Sequence, residues 1–262
     1  MPNILDQIIA DKYKEVAQRS QTISTESLMQ APLFGRKCIS LKESLQHSNT
    51  GIIAEFKRKS PSLGWIYEDA DVMDITSGYS EAGASGISIL TDLEYFGGTA
   101  IDLMAARKFI ACPVLRKDFV IDVYQLYEAK AMGADVILLI AAALTVEKTL
   151  ELAQKAHDLG LEVLLEVHNK EEIGHANDFV DLLGVNNRNL KTFEQNVQTS
   201  FDLVDFIPDK FVKISESGIS KVETVKYLRR AGYKGFLMGE NFMKEENPAE
   251  ALKEFLKGIK TP

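Results

Sequence analysis

From residue 51 onward the chain alternates short apolar runs with longer stretches whose apolar positions recur at helical spacing. Eight runs read as strands: "GIIAEFK" at 51, "GISILT" at 86, "PVLRKDF" at 113, "DVILLIA" at 135, "EVLLEVH" at 162, "DLLGVNN" at 181, "FVKISES" at 211 and "GFLMGE" at 235. Their near-continuous apolar character suits parallel strands covered by helices. Helical stretches separate most pairs. In "VYQLYEAKAMGAD" and "TVEKTLELAQKAHDLGLE", Gly133 and Gly160 fall where a helix C-terminus favours a left-handed residue. Ser220 with Glu223 reads as a capping box opening "KVETVKYLRRAG". Eight alternating units most economically close into a (β/α)8 TIM barrel. No G-x-G-x-x-G follows the first strand, so an open doubly wound sheet has little support.

Residues 1–48 precede the first strand, and Leu5, Ile8, Ile9 and Val16 share one face of a helix there. Ser40 with Glu43 reads as a second capping box, before "LKESLQ". Two readings stay open for this N-terminal helical extension: a plug on the barrel, or a part in closing the site. With no low-complexity segment or long linker, residues 1–262 are expected to form one barrel domain with the extension packed on it.

Composition narrows the functional classes. A net charge of −8 argues against a nucleic-acid partner and requires any anionic substrate to meet a locally basic site. The charged N-terminus lacks the apolar core of a signal peptide, and the longest apolar run, Val136–Leu144, is too short to span a bilayer. Cys38 and Cys112 read as reduced thiols, so a soluble cytoplasmic protein without a membrane partner is expected. His47, His157 and His175 form no ligand set with them, and no metal or cofactor is expected.

The candidate chemistry lies at the C-terminal strand ends. Alternation on the first strand turns Ile52, Ala54 and Phe56 to the helices and Ile53, Glu55 and Lys57 inward. Alone, Glu55 and Lys57 would suit a surface ion pair. Other strands add Lys117 behind Leu115, Glu166 behind Leu164, Asn186 in register with Arg188, and the terminal "SESG". Polar groups gathered at one end of each strand mark the rim where such barrels hold their active sites. Arg58 is expected to point outward into solvent, and His168 to finish a loop rather than relay protons. The strand-to-helix turns in "SESGIS" and "MGENFM" suit a phosphate.

Eight motifs in order, "AEFKRKSPSLG", "LTDLEYFGGT", "VLRKDF", "ILLIAAAL", "LLEVH", "GVNNRNL", "SESGI" and "LMGENFM", resemble those of the indole-3-glycerol phosphate synthase family. The resemblance covers nearly the whole chain and includes the extension "ILDQIIADKYKEV". It implies closure of 1-(2-carboxyphenylamino)-1-deoxyribulose 5-phosphate to indole-3-glycerol phosphate in tryptophan biosynthesis, without cofactor. It further implies Lys117 as general acid at the ketone, Glu166 as its partner in dehydration, and Lys57 at the carboxylate, oriented by Glu55. Asn186 and Ser217 would bond the sugar hydroxyls or the developing charge. How the acid work divides between Lys57 and Lys117 stays open.

The phosphate would meet Ser60, Lys57 and the backbone at Gly218, Gly239 and Glu240, with Glu216 among the substrate-binding residues. Phe119 would line the anthranilate pocket by shape and Arg188 by charge. The implied partner is a small phosphorylated substrate; whether the chain is a monomer, and whether it associates with other tryptophan-pathway enzymes, stays open. The alternative is another phosphosugar lyase or isomerase barrel with a Schiff-base lysine. A catalytically silent barrel would have no use for two inward lysines and two glutamates.

Overall fold

The computed structural model describes residues 4–189 and 192–260. Leu190, which ends the motif "GVNNRNL", lies outside them, as do residues 1–3 and 261–262 of the expected domain. Eight strands run parallel in chain order: β1 Ile52–Phe56, β2 Gly86–Leu90, β3 Val114–Lys117, β4 Val136–Ile140, β5 Glu162–Val167, β6 Leu182–Asn186, β7 Val212–Glu216 and β8 Gly235–Met238. The barrel closes at β1, which pairs with β2 through Ile53 and Gly86 and with β8 through Ile52 and Phe236.

Ahead of the barrel lie α1 Ile4–Thr22, α2 Thr25–Met29 and α3 Leu41–His47. Around it stand α4 Val72–Ala82, α5 Leu93–Phe96, α6 Ala100–Ala106, α7 Val123–Met132, α8 Val146–Asp158 and α9 Gln198–Leu203. They are followed by α10 Val222–Arg230, α11 Glu240–Met243 and α12 Pro248–Lys260. Between β5 and β6 a 3-10 turn, Glu171–His175, replaces the usual helix. Gly133 caps α7 at φ +88, as its position suggested.

Strand alternation divides the apolar residues into two cores. Ile52, Ala54, Phe56, Ile87 and Ile89 pack outward against the helices. Ile53, Leu115, Leu138, Leu164, Leu182, Ile214 and Leu237 point to the barrel axis, joined by Leu41 and Leu45 of α3. Each buried aliphatic side chain contributes about 1.5–3 kcal/mol, so this interior column sets the register of the strand ends above it. Gly86 and Gly235 open β2 and β8 without side chains, and the space is filled by the Leu41 and Leu45 methyls.

The extension meets both ends of the barrel, through different helices. α3 plugs the N-terminal end of the barrel, while Ile4, Leu5 and Ile8 of α1 reach the cavity at the opposite end. Ser40 Oγ caps α3 by accepting from Glu43 N–H at 3.0 Å. The carboxylate serving this cap belongs to Glu162 on β5, which takes the Ser40 hydroxyl and the N–H groups of Leu41 (2.8 Å) and Lys42 (3.1 Å).

Two expectations are corrected. The box of Ser220 and Glu223 does not form, because α10 starts at Val222 with Lys221 as N-cap and no side-chain cap. Glu223 is then the second helical residue, not the third, and cannot reach back to the cap. Arg58 does leave the outer face of the barrel, but it is not solvated. Its guanidinium holds Asp102 by two bonds of 2.9 Å, donates to Ala70 O and Gly97 O at 3.1 Å each, and lies over the Phe56 ring. Alternation gives the side from which a residue leaves a strand, not what it meets there. On α6, Ile101 and Met104 face solvent, an apolar exposure that the periodicity did not single out.

Candidate active site

At the C-terminal rim the inward positions change from apolar to polar. Glu55 stands two residues beyond Ile53, Lys117 beyond Leu115, Glu166 beyond Leu164 and Glu216 beyond Ile214. They open into a cavity of about 360 Å³. Every residue singled out above as a candidate lines it: Glu55, Lys57, Ser60, Lys117, Phe119, Glu166, Asn186, Arg188, Glu216, Ser217, Gly218, Gly239 and Glu240. Two glycines make room for the acids. A Cβ at Gly184 would strike Glu216 Oε1, and one at Gly239 would come within 2.8 Å of the Glu55 side chain.

Taking an ion out of water costs several kcal/mol, so buried charges must be paired. Lys117 Nζ lies 2.9 Å from Glu166 Oε2 and 3.0 Å from Glu216 Oε2. Lys57 Nζ lies 2.8 Å from Glu55 Oε1. Burial opposes the Lys117 ammonium, but Glu166, Glu216 and Glu55 outweigh it and hold the group well above the usual lysine range. Burial likewise opposes the Glu166 anion, yet Lys117 and His168 hold it well below the usual carboxylate range.

Glu216 goes the other way. Burial, opposed by Lys117 but reinforced by Glu166 and Glu55, pushes it up to about 7. Its Oε1 is buried and has no hydrogen-bond partner among the described residues. The site therefore holds one lysine firmly as ammonium, one glutamate firmly as anion, and one carboxyl that exchanges its proton near neutrality.

Around this centre the rim loops are joined to one another. Arg188 Nη1 donates to Ser62 Oγ at 2.9 Å, and Nη2 lies 3.4 Å from Glu240 Oε2, linking the loops after β1 and β8. Asn186 Oδ1 accepts from Arg188 N–H at 3.0 Å. After β7 the chain turns sharply with two left-handed residues in succession, Ser217 at φ +68 and Gly218 at φ +72. A non-glycine residue there costs about 1–3 kcal/mol, a strain typical of functional turns.

Several neighbours escaped the sequence reading. Phe96 of α5 meets Phe119 with centroids 6.1 Å apart, and Phe193, Gln195 and Lys244 also line the cavity. These residues lie in loops or short turns, where no periodicity marks a direction. His168 is more than a loop end: its Nε2 lies 3.3 Å from Glu166 Oε1 and its Nδ1 3.1 Å from Glu172 Oε2. Burial opposes its charge, but the two carboxylates raise it to about 9. The spacing "EVH" placed Glu166 inward and His168 two residues on along the same side, a signal that could have paired them.

A closed (β/α)8 barrel with opposed acids and lysines at its C-terminal mouth carries the groups that acid–base chemistry on a small molecule needs. The fold recurs in 3-hexulose-6-phosphate synthase from Salmonella typhimurium, at TM-score 0.63 and 14% identity over 80% of this chain and 98% of that one. It recurs in a tryptophan synthase α-subunit from Pyrococcus furiosus, at TM-score 0.60 and 17% identity over 80% and 97%.

Sequence relatives are far nearer than these. The family model of indole-3-glycerol phosphate synthase matches residues 5–255. The enzyme of that name from Bacteroides thetaiotaomicron is 52% identical over 99% of this chain and all of its own. The one from Polynucleobacter asymbioticus is 42% identical over 97% and 99%. The chain belongs to the indole-3-glycerol phosphate synthase family, carboxy-lyases of tryptophan biosynthesis.

Proposed function

We propose that this mouth closes 1-(2-carboxyphenylamino)-1-deoxyribulose 5-phosphate to indole-3-glycerol phosphate, with Lys117 as the acid that starts the reaction. The aromatic carbon bearing the carboxylate attacks the ketone carbon, and Lys117 gives a proton to the ketone oxygen as the bond forms. Loss of CO2 then restores the aromatic ring. A second proton, from Lys57, lets that oxygen leave as water. Glu166 takes the ring proton that completes the indole. Two protons reach one oxygen and one returns from carbon, so each turnover draws one proton from solvent.

The observation that carries this reading is the pairing of Lys117 with Glu166 and Glu216. A protonated acid and an ionised base already stand side by side, and Glu216 can return a proton to Lys117 between steps. Lys57, oriented by Glu55, and Arg188 suit the carboxylate that leaves as CO2. Asn186 spends its Oδ1 on the backbone, leaving its amide N–H groups for a sugar hydroxyl, with Ser217 beside it. Ser60, Lys57 and the backbone of Gly218, Gly239 and Glu240 suit the phosphate, and Phe119 the aromatic ring. Both cysteines are free thiols, which supports a reducing, cytoplasmic setting.

A Schiff-base lysine must be a neutral amine, and the raised ammonium of Lys117 weighs against that alternative. Indole fluorescence from the purified chain and the carboxyphenylamino substrate, with borohydride trapping alongside, tests the reading. Indole-3-glycerol phosphate should form with no covalent adduct; absence of product, or a trapped lysine adduct, would overturn it.

A further inference from the structure

One buried cation has no part in the steps above. Lys12 sits on the apolar face of α1, one turn beyond Ile8, and is 1% exposed. Its Nζ lies 2.8 Å from Asp92 Oδ2, 3.0 Å from Asp118 Oδ1 and 2.7 Å from Glu15 Oε2. Asp92 and Asp118 are buried and follow β2 and β3 respectively. Asp92 Oδ1 accepts from Tyr95 N–H at 2.8 Å and so caps α5, which carries Phe96. Asp118 Oδ1 accepts from Phe119 N–H at 2.8 Å. From the barrel side, Asp118 Oδ2 is fixed by Arg116 at 2.9 Å and Thr91 at 2.8 Å.

We propose that Lys12 is a positioning residue for substrate: it clamps the N-terminal helix to the two loops that carry Phe96 and Phe119, and so sets the aromatic wall of the cavity. That the wall receives the carboxyphenyl ring rests on the proposed function; the clamp itself rests on geometry. An apolar residue at position 12 would suffice to dock an amphipathic helix, and a buried ion pair is a weak source of stability. What the ammonium adds is a fixed distance among three elements, as only one arrangement brings α1 and both aspartates onto one nitrogen. The same helix brings Leu5 and Ile8 to the cavity, so a single clamp places both the aliphatic and the aromatic sides of the wall.

The test uses the full-length enzyme and Lys12→Met, with N-methylanthranilate as aromatic-acid probe and glycerol 3-phosphate as phosphate probe. The variant should bind the aromatic acid about tenfold more weakly or worse, with KM rising in step, because small misplacement of a binding wall is costly. Its affinity for glycerol 3-phosphate should stay within about twofold of the parent, since a lost ring contact leaves phosphate contacts intact. Both affinities unchanged, or both lost together, would reduce Lys12 to a structural role and overturn the proposal.

If Lys12→Met does not fold, hydrogen exchange on the unaltered enzyme decides. N-methylanthranilate should slow exchange at Tyr95, Phe119 and in α1, whereas glycerol 3-phosphate should leave α1 unaffected. No slowing in α1 would overturn the clamp. Turnover by the unaltered enzyme reports separately on the proposed function.

Discussion

The Glu216 carboxylate stands 3.0 Å from Lys117 Nζ through one oxygen, while its other oxygen has no hydrogen-bond partner among the described residues and fills the space above Gly184. A group half-paired in this way is costly to ionise. In the proposed mechanism it serves as a proton store beside Lys117.

That arrangement has a measurable sign. Folding raises Glu216 from 4.5 to about 7, so the folded protein favours its protonated form. The resulting destabilisation is absent below about pH 4.5, grows as pH rises, and is complete above about 7. Glu216→Gln should therefore raise Tm more at about pH 8 than at about pH 5, while lowering turnover. Equal Tm gains at both pH values in thermal unfolding would refute the shifted proton.

His168 supplies the second cation on Glu166. Its folded value, raised from 6.5 to about 9, makes its stabilisation complete below 6.5 and lost as pH rises through 9. In His168→Gln, Glu166 keeps Lys117 as its cationic partner among the described residues, and the acid limb of kcat/KM should move up. Stability should fall at neutral pH and match the parent above about pH 10. A variant with the parent's acid limb would show that His168 leaves Glu166 unaffected.

Arg58 does not line the cavity, yet its replacement should be felt. Arg58→Ala leaves the buried Asp102 without its bidentate partner and should cost about 2–3 kcal/mol in denaturant unfolding. The guanidinium also joins the start of the loop bearing Ser60 and Ser62 to Gly97, so KM should rise more than kcat falls. Unchanged stability would mean that the pair is as weak as a solvated one.

The barrel and the ionisable groups at its mouth were legible because both depend on period-two alternation. Once Ile53, Leu115, Leu164 and Ile214 are inward, Glu55, Lys117, Glu166 and Glu216 two residues later must be inward too. Contacts between elements distant in sequence left no such trace: Phe96 against Phe119, or Arg58 against Asp102. Lys12 is intermediate. The stripe Leu5, Ile8, Lys12, Val16 has helical spacing throughout, and the lysine within it is an anomaly that the sequence reading passed over. Its partners left no trace in the spacing. Ser220 misled because a capping box depends on where the helix starts, and one residue of shift abolishes it.

The place of Lys117 at the first step is tested most directly by CO2 release in a single turnover of Lys117→Met, followed beside indole fluorescence. If Lys117 protonates the ketone as the ring closes, decarboxylation cannot precede it. Both signals should then fall together by at least ~10²-fold, the scale of a lost general acid. CO2 released at the parental rate without indole would contradict the account and move Lys117 to the dehydration step.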